Sequence, residues 1–176
     1  MKWIIILLII YFFALYNSII QNRNKVKQAA SGIDVYLTQR FDLIPNLIEC
    51  VKGYMKHENK ILLEITTARE IYLRNKDLKE GQELNNKCNI IIAVAEKYPE
   101  LKSSEQFLNL QKELSKMENQ IQAARRVYNA EVNAYNNSIQ KFPGNIIASL
   151  FNFNEEEYFE AENSALNNIK IKDINK

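Results

Sequence analysis

From Trp3 to Ile20 the chain runs for eighteen residues whose only polar members are Asn17 and Ser18. As a helix rising ~1.5 Å per residue, this segment is about 27 Å long, close to the hydrocarbon thickness of a bilayer. Residues 1–21 therefore read as a transmembrane anchor, with the lipid bilayer as the partner of residues 3–20. A cleaved signal peptide would need a small-x-small exit, and Ala14-Leu15-Tyr16-Asn17-Ser18 supplies none. No cysteine follows the run, which argues against a lipoprotein.

Lys2 and the free amino group flank the short side of the span, and Arg23, Lys25 and Lys27 flank the long side. Basic residues stay in the cytoplasm, so the count favours a single-pass protein of the plasma (inner) membrane with its main domain cytoplasmic.

Beyond the anchor, apolar or small residues recur in steps of three and four at Val26, Ala30, Ile33, Leu37, Phe41, Ile44, Ile48, Val51 and Met55. No Gly or Pro separates this stripe from the span, so one helix is expected to leave the membrane and continue into the domain. Pro45 removes the backbone bond to residue 41 and should kink that helix near Phe41 to Ile44 rather than end it. A second helix is predicted over 58–74, a polar stretch over 75–81, and a third helix over 82–98, stopped by Pro99.

The fourth helix is expected to start after Ser103 as N-cap, with Gln106 three residues on. Its stripe is the most regular in the chain: Phe107, Leu110, Leu114, Met117, Ile121, Ala124, Tyr128, Glu131, Tyr135 and Ser138, with Val132 and Ile139 beside the two polar positions. Such heptad order predicts a coiled-coil-like antiparallel bundle, and makes the stripe core rather than a cofactor box. Pro143 and Gly144 end this helix. The apolar segment 146–153 follows, then a capping-box pattern, Asn154 with Glu157, that predicts a brief helix to about Asn163. Residues 164–176 read as a polar tail.

Only four Gly and three Pro interrupt the chain, which suits long helices. The predicted fold is all-α: a transmembrane helix continuing into an antiparallel helical bundle over 22–163. A net charge of +2 from 23 basic and 21 acidic residues gives no clustered basic face, and no nucleic-acid role is assigned. Cys50 and Cys88 lie on apolar stripes without a CxxC or Cys/His cluster and read as free thiols in the core.

A series of motifs runs from Tyr16-Asn17 through Ile33-Asp34-Val35, Arg40-Phe41-Asp42-Leu43-Ile44-Pro45-Asn46-Leu47, Val51-Lys52-Gly53-Tyr54, His57-Glu58 and Ala68-Arg69. It resumes at Tyr98-Pro99-Glu100-Leu101, Phe107, Leu110-Gln111, Glu118-Asn119-Gln120-Ile121, Ala124-Arg125, Tyr128-Asn129, Tyr135-Asn136, Phe142-Pro143 and Tyr158-Phe159-Glu160. In these motifs and their order the chain resembles the LemA family of bacterial membrane proteins. Gln39, where the family usually has a second Arg, and Cys50, where a small or polar residue is commoner, depart from the pattern. The resemblance implies an N-terminal transmembrane helix and an up-and-down four-helix bundle. It implies no reaction.

His57-Glu58 suggests a zincin, but Ile61 occupies the second histidine position and His57 is the single histidine of the chain. Without Glu-x-x-His pairs or a second histidine, di-iron sites and histidine triads have no material either. No metal, cofactor or catalytic residue is assigned, and the expectation is a protein that is not an enzyme.

The polar residues Arg40, Asn46, Glu58, Arg69, Glu118, Arg125, Asn129 and Asn136 remain, several of them flanking the apolar stripes. Such positions hold interhelical ion pairs and hydrogen bonds that fix register. The other reading is a grooved polar cluster in which a protein partner or small anion binds through Arg69 and Arg125. The segment 146–153 either caps the open end of the bundle or dips Leu150, Phe151 and Phe153 into the membrane interface. The expected function is a protein-interaction or scaffold module with an unidentified protein partner. The alternative is a lipid-interacting or membrane-remodelling protein that uses the segment after Pro143.

Overall fold

The computed structural model of the chain describes residues 2–54 and 59–159, apart from the side chain of Asn59. Met55, His57, Glu58 and the predicted tail 164–176 lie outside the described residues. The described residues are helical, without strands: α1 (Lys2–Phe41), α2 (Ile44–Lys52), α3 (Asn59–Asn75), α4 (Leu78–Ala95), α5 (Pro99–Lys102), α6 (Glu105–Gln140) and α7 (Gly144–Phe151). The all-α expectation and the long apolar first helix are both borne out.

α1 is one unbroken helix of 40 residues whose two halves face different surroundings. Trp3 to Tyr11 and Phe13 carry large exposed apolar side chains, whereas Ile19, Val26, Ile33, Leu37 and Phe41 are buried. Among the described residues this is the one helix long and apolar enough to cross a membrane. Steps of seven and then four keep the buried stripe on the face that meets α6, and α1 with α6 forms the most extensive contact of the fold. The buried stripe of α6 includes Phe107, Leu114, Ile121, Val132 and Ile139. Val132 and Ile139 are buried, as expected beside the polar stripe positions.

Pro45 interrupts the first helix for two residues, Asp42 and Leu43, before α2 resumes with its own stripe of Ile44, Leu47 and Val51. The Leu43 amide bonds to Arg40 O at 3.1 Å and the Leu47 amide to Leu43 O at 3.0 Å, so the chain stays close to helical through the break.

Several boundaries differ from the sequence reading: α4 ends at Ala95, three residues before the predicted end, Pro99 opens α5, and Gly144 opens α7. The polar stretch 75–81 contracts to a two-residue turn, Lys76 (φ 54°) and Asp77. Asp77 is a true N-cap: its carboxylate accepts from the amides of Lys79 and Glu80 at 2.9 and 3.0 Å. α4 thus begins four residues early, and Gly81 lies inside it because a Cβ there would come within 2.8 Å of Leu37 and Tyr72. Ser103 does not cap the long helix. It ends α5, its hydroxyl donating to Glu100 O at 3.0 Å, and Ser104 occupies the N-cap. The helix predicted from Asn154 is not formed over 154–159, where the chain is extended. Asn152 turns it back in the left-handed region at φ 53°.

These contacts divide the molecule by level. The α3–α4 turn lies beside Asp34 to Thr38 of α1, since Lys76 Nζ donates to Thr38 Oγ1 at 2.7 Å. Toward residue 41, α1 and α2, α3, α4 and α6 pack together; toward residue 19, the α1–α6 pair is joined by α7 and the extended strap 152–159.

Candidate functional site

Among the described residues Arg40 is the largest fully buried side chain, 1% exposed. Its guanidinium donates to Asn85 and Glu118, and to Asn89 Oδ1 at 2.6 Å. Asn85 Nδ2 also donates to Glu118 Oε2 at 2.9 Å, and Gln122 Nε2 to Glu118 Oε1 at 2.7 Å. A buried guanidinium is tolerable only when its charge is paired and its donors are met. Helices α1, α4 and α6 each supply part of that shell, so the network fixes their relative register. The sequence reading included Arg40 and Glu118 but missed Asn85 and Asn89; their i, i+4 spacing beside Leu84 and Cys88 was the available signal.

Arg69 serves a different purpose. Pro45 has no amide to give the Phe41 carbonyl, and Arg69 Nε reaches across from α3 and donates to that carbonyl at 2.8 Å. Arg69 Nη2 pairs with Asp42 at 3.2 Å. Below it, the Tyr72 hydroxyl donates to Asp34, which also pairs with Lys76 at 3.4 Å, and the Tyr72 ring meets Phe41 edge-on at 4.9 Å. Burial, followed by Asp34, pushes the Tyr72 phenol well above the usual tyrosine range.

Arg125, Asn129 and Asn136 lie on another stretch of α6, under the strap. Arg125 stacks its guanidinium over the Phe159 ring at 4.6 Å. Asn129 Nδ2 donates to Phe159 O at 2.9 Å, while its Oδ1 accepts from the Phe159 amide at 2.7 Å. Asn136 repeats this at Glu156, with 2.9 and 3.0 Å. The Tyr128 hydroxyl donates to Glu157 O at 3.0 Å and that of Tyr135 to Asn154 O at 2.9 Å. Burial, with Glu156 and Glu157 nearby, raises the Tyr128 phenol and keeps it a donor. Arg69 and Arg125 thus serve separate places, one at the helix break and one beneath the strap. Asn46 is exposed on α2, and Glu58 lies outside the described residues.

The segment after Pro143 turns one face inward and another outward. Gly144, Ile147 and Ala148 are buried, whereas Phe142, Ile146 and Leu150 are 80%, 56% and 65% exposed. Phe151 lies 6.3 Å from Phe12 and 4.8 Å from Tyr16, and Phe153 lies 6.0 Å from Tyr16. α7 therefore sits beside the last turns of the apolar run. Among the described residues, no three His, Cys, Asp or Glu side chains gather as metal ligands, and Cys50 and Cys88 are both free.

The LemA family profile matches residues 29–172. Protein LemA of Metamycoplasma hominis is 28% identical over 166 residues, covering 86% of this chain and 75% of its own length. Magnetosome protein MamQ 2 of Paramagnetospirillum magneticum is 24% identical over 175 residues, covering 82% of this chain. This chain spans 64% of that magnetosome protein's length. Magnetosome protein MamQ of Magnetospirillum gryphiswaldense is 31% identical over 74 residues, 42% of this chain.

Proposed function

This chain belongs to the LemA family, and we propose that it is a non-catalytic scaffold or protein-interaction module at the bacterial plasma membrane, with its bundle in the cytoplasm. Family and apolar helix together make it a membrane-associated, single-pass protein. The observation that carries the scaffold reading is α1 itself. One helix contributes both the span and the bundle core, so no loose linker lies between them. Such a bundle presents its surfaces at a fixed height and orientation above the bilayer, which suits docking. The Arg40 network supports the same reading, because a register-fixing polar core favours one rigid arrangement.

Photocrosslinking in intact cells tests this. A crosslinking amino acid replaces exposed Val127 or Leu108 in the full chain. The expected result is a discrete protein adduct that changes with the position of the probe. The absence of adducts from every exposed bundle position would overturn the scaffold reading.

The second reading is lipid contact through α7, with Leu150, Phe151 and Phe153 at the interface. It is favoured by the outward apolar face of α7 beside Phe12 and Tyr16. Trp3 is the single tryptophan, so the full chain carrying Trp3→Phe and Leu150→Trp has one reporter. Brominated acyl chains should quench its fluorescence in vesicles; emission typical of water and no quenching would sink the lipid reading.

A further inference from the structure

The strap 152–159 is gripped chiefly by its main chain, with Phe153 and Phe159 as its packed side chains. Four α6 residues, Tyr128, Asn129, Tyr135 and Asn136, hydrogen-bond to the main chain at positions 154, 156, 157 and 159. Each asparagine closes a two-bond ring on one residue, giving its amide to a carbonyl and its oxygen to an N–H. Asn154, Glu155, Glu157 and Tyr158 are exposed.

The spacing makes the ladder general. Asn129 to Asn136 is seven helical residues, about 10.5 Å of rise. Phe159 to Glu156 is three extended residues, about 10 Å. Tyr128 and Tyr135 meet Glu157 and Asn154 in the same seven-to-three ratio, running antiparallel. A helical heptad is thus commensurate with a triplet of extended chain, and each step reads groups that every non-proline residue carries. Selectivity comes chiefly from the Phe159 seat under Arg125 and beside Tyr128, while the exposed Lys79, which pairs with Glu157 at 3.1 Å, adds a weak preference for acid. A cleft of about 1050 Å³ flanks the strap on the α4 side, with Lys76 and Lys79 on its wall.

We propose that this ladder is a binding site for an extended, acidic peptide segment of a partner protein, with an aromatic residue in the Phe159 seat. Residues 154–159 occupy it in cis as a built-in stand-in. The proposal rests on the protein-interaction reading and names its site and ligand class. A tethered segment competes at an effective concentration on the order of mM, so a partner peptide must either outbind the strap or meet it weakened.

The test uses the full chain in nanodiscs and a fluorescent peptide with the sequence of residues 152–159. Phe159→Ala weakens cis occupancy, and peptide affinity should rise at least tenfold over the unaltered chain. Adding Asn129→Ala and Asn136→Ala to that variant should abolish binding while its helical melt persists. A peptide with proline at the Glu156 position lacks the N–H that Asn136 accepts and should bind at least tenfold more weakly. No saturable binding to the folded Phe159→Ala chain, or binding indifferent to the asparagines, overturns the proposal. Dimerisation of the unaltered chain without peptide uptake by Phe159→Ala also overturns it, in favour of strap exchange between copies. If the peptide fails while cellular adducts form elsewhere on the bundle, this site falls and the interaction reading stands.

Discussion

Pro45 and Arg69 are coupled through one carbonyl oxygen, and a double-mutant cycle measures the coupling. In an uninterrupted helix the Phe41 carbonyl accepts from the amide of residue 45, which Pro45 lacks. Phe41 is 0% exposed, and Arg69 Nε stands in at 2.8 Å. Arg69→Ala leaves a buried acceptor without its donor, a loss of about 1–3 kcal/mol. The Asp42 pair adds little, because Asp42 is 60% exposed and such pairs contribute roughly 0–1 kcal/mol. A total near 2 kcal/mol lowers Tm by roughly 4–8 °C for a domain of this size. Pro45→Ala restores the missing amide. In that background Arg69→Ala should cost about 0.5 kcal/mol, giving a coupling of about 1–2 kcal/mol. The assay is urea and thermal unfolding of the four full-length proteins in detergent, followed by far-ultraviolet circular dichroism. An equal cost of Arg69→Ala with and without Pro45 would refute the carbonyl-rescue argument, whatever the absolute stabilities.

The Arg40 network should respond asymmetrically. Glu118→Ala strands a guanidinium that is 1% exposed and should cost about 3 kcal/mol, whereas Arg40→Met leaves a carboxylate that is 23% exposed and able to hydrate, at about 1–2 kcal/mol. Urea melts giving Arg40→Met the larger loss would contradict this. Gly81→Ala places a methyl against Leu37 and Tyr72 and should destabilise by about 1–3 kcal/mol despite the better helix propensity of alanine, as a thermal melt will register. The thiols should differ in reactivity. Burial pushes Cys88 up to about 12, so almost no thiolate forms at pH 8, while half-buried Cys50 is raised by burial and then by Glu49. Alkylation read by mass spectrometry should label Cys50 first, faster as pH rises from 7 to 9, with Cys88 protected until urea unfolds the bundle.

Legibility in the sequence followed the amount of periodicity available. The heptads of α6 and the unpunctuated exit from the apolar run foretell two long helices in contact, because burying a stripe along such a length requires a partner stripe. Gly81 misled because glycine reads as a breaker, whereas here it permits a close approach of Leu37 and Tyr72 that depends on tertiary packing. The D-x-x-E spacing of Asp77 and Glu80 carried the correct start of α4. Asn154 and Glu157 carry a similar capping signature, yet the strap is extended. The difference lies in competition: Asn129 and Asn136 on α6 satisfy the strap's amides and carbonyls, which a helix would otherwise pair internally. A local signal cannot report a competitor placed about twenty to thirty residues away. Asn85 and Asn89 were missed for a similar reason, since a mid-helix asparagine reads as surface until a buried arginine is found opposite it.

The stripe of α6 also records where its neighbours change. From Phe107 to Ile121 its buried residues are aliphatic or phenyl, and α6 there serves a layer that includes α2 and α4. From Tyr128 on, tyrosines and Asn136 alternate with Val132 and Ile139. Each of these tyrosines has a ring that joins the core and a hydroxyl that reaches the strap, so one side chain serves an apolar and a polar neighbour together. Toward the membrane two helices alone would leave the flank of α6 wet, and the strap covers it through directional bonds more than through apolar area. Hydrogen bonds exchange with water at little net free energy, whereas buried apolar area is lost outright when a contact opens. The polar replacements in the α6 stripe therefore make the strap contact easier to open than an aliphatic stripe would be. A contact of this kind is one that the proposed binding in trans could open.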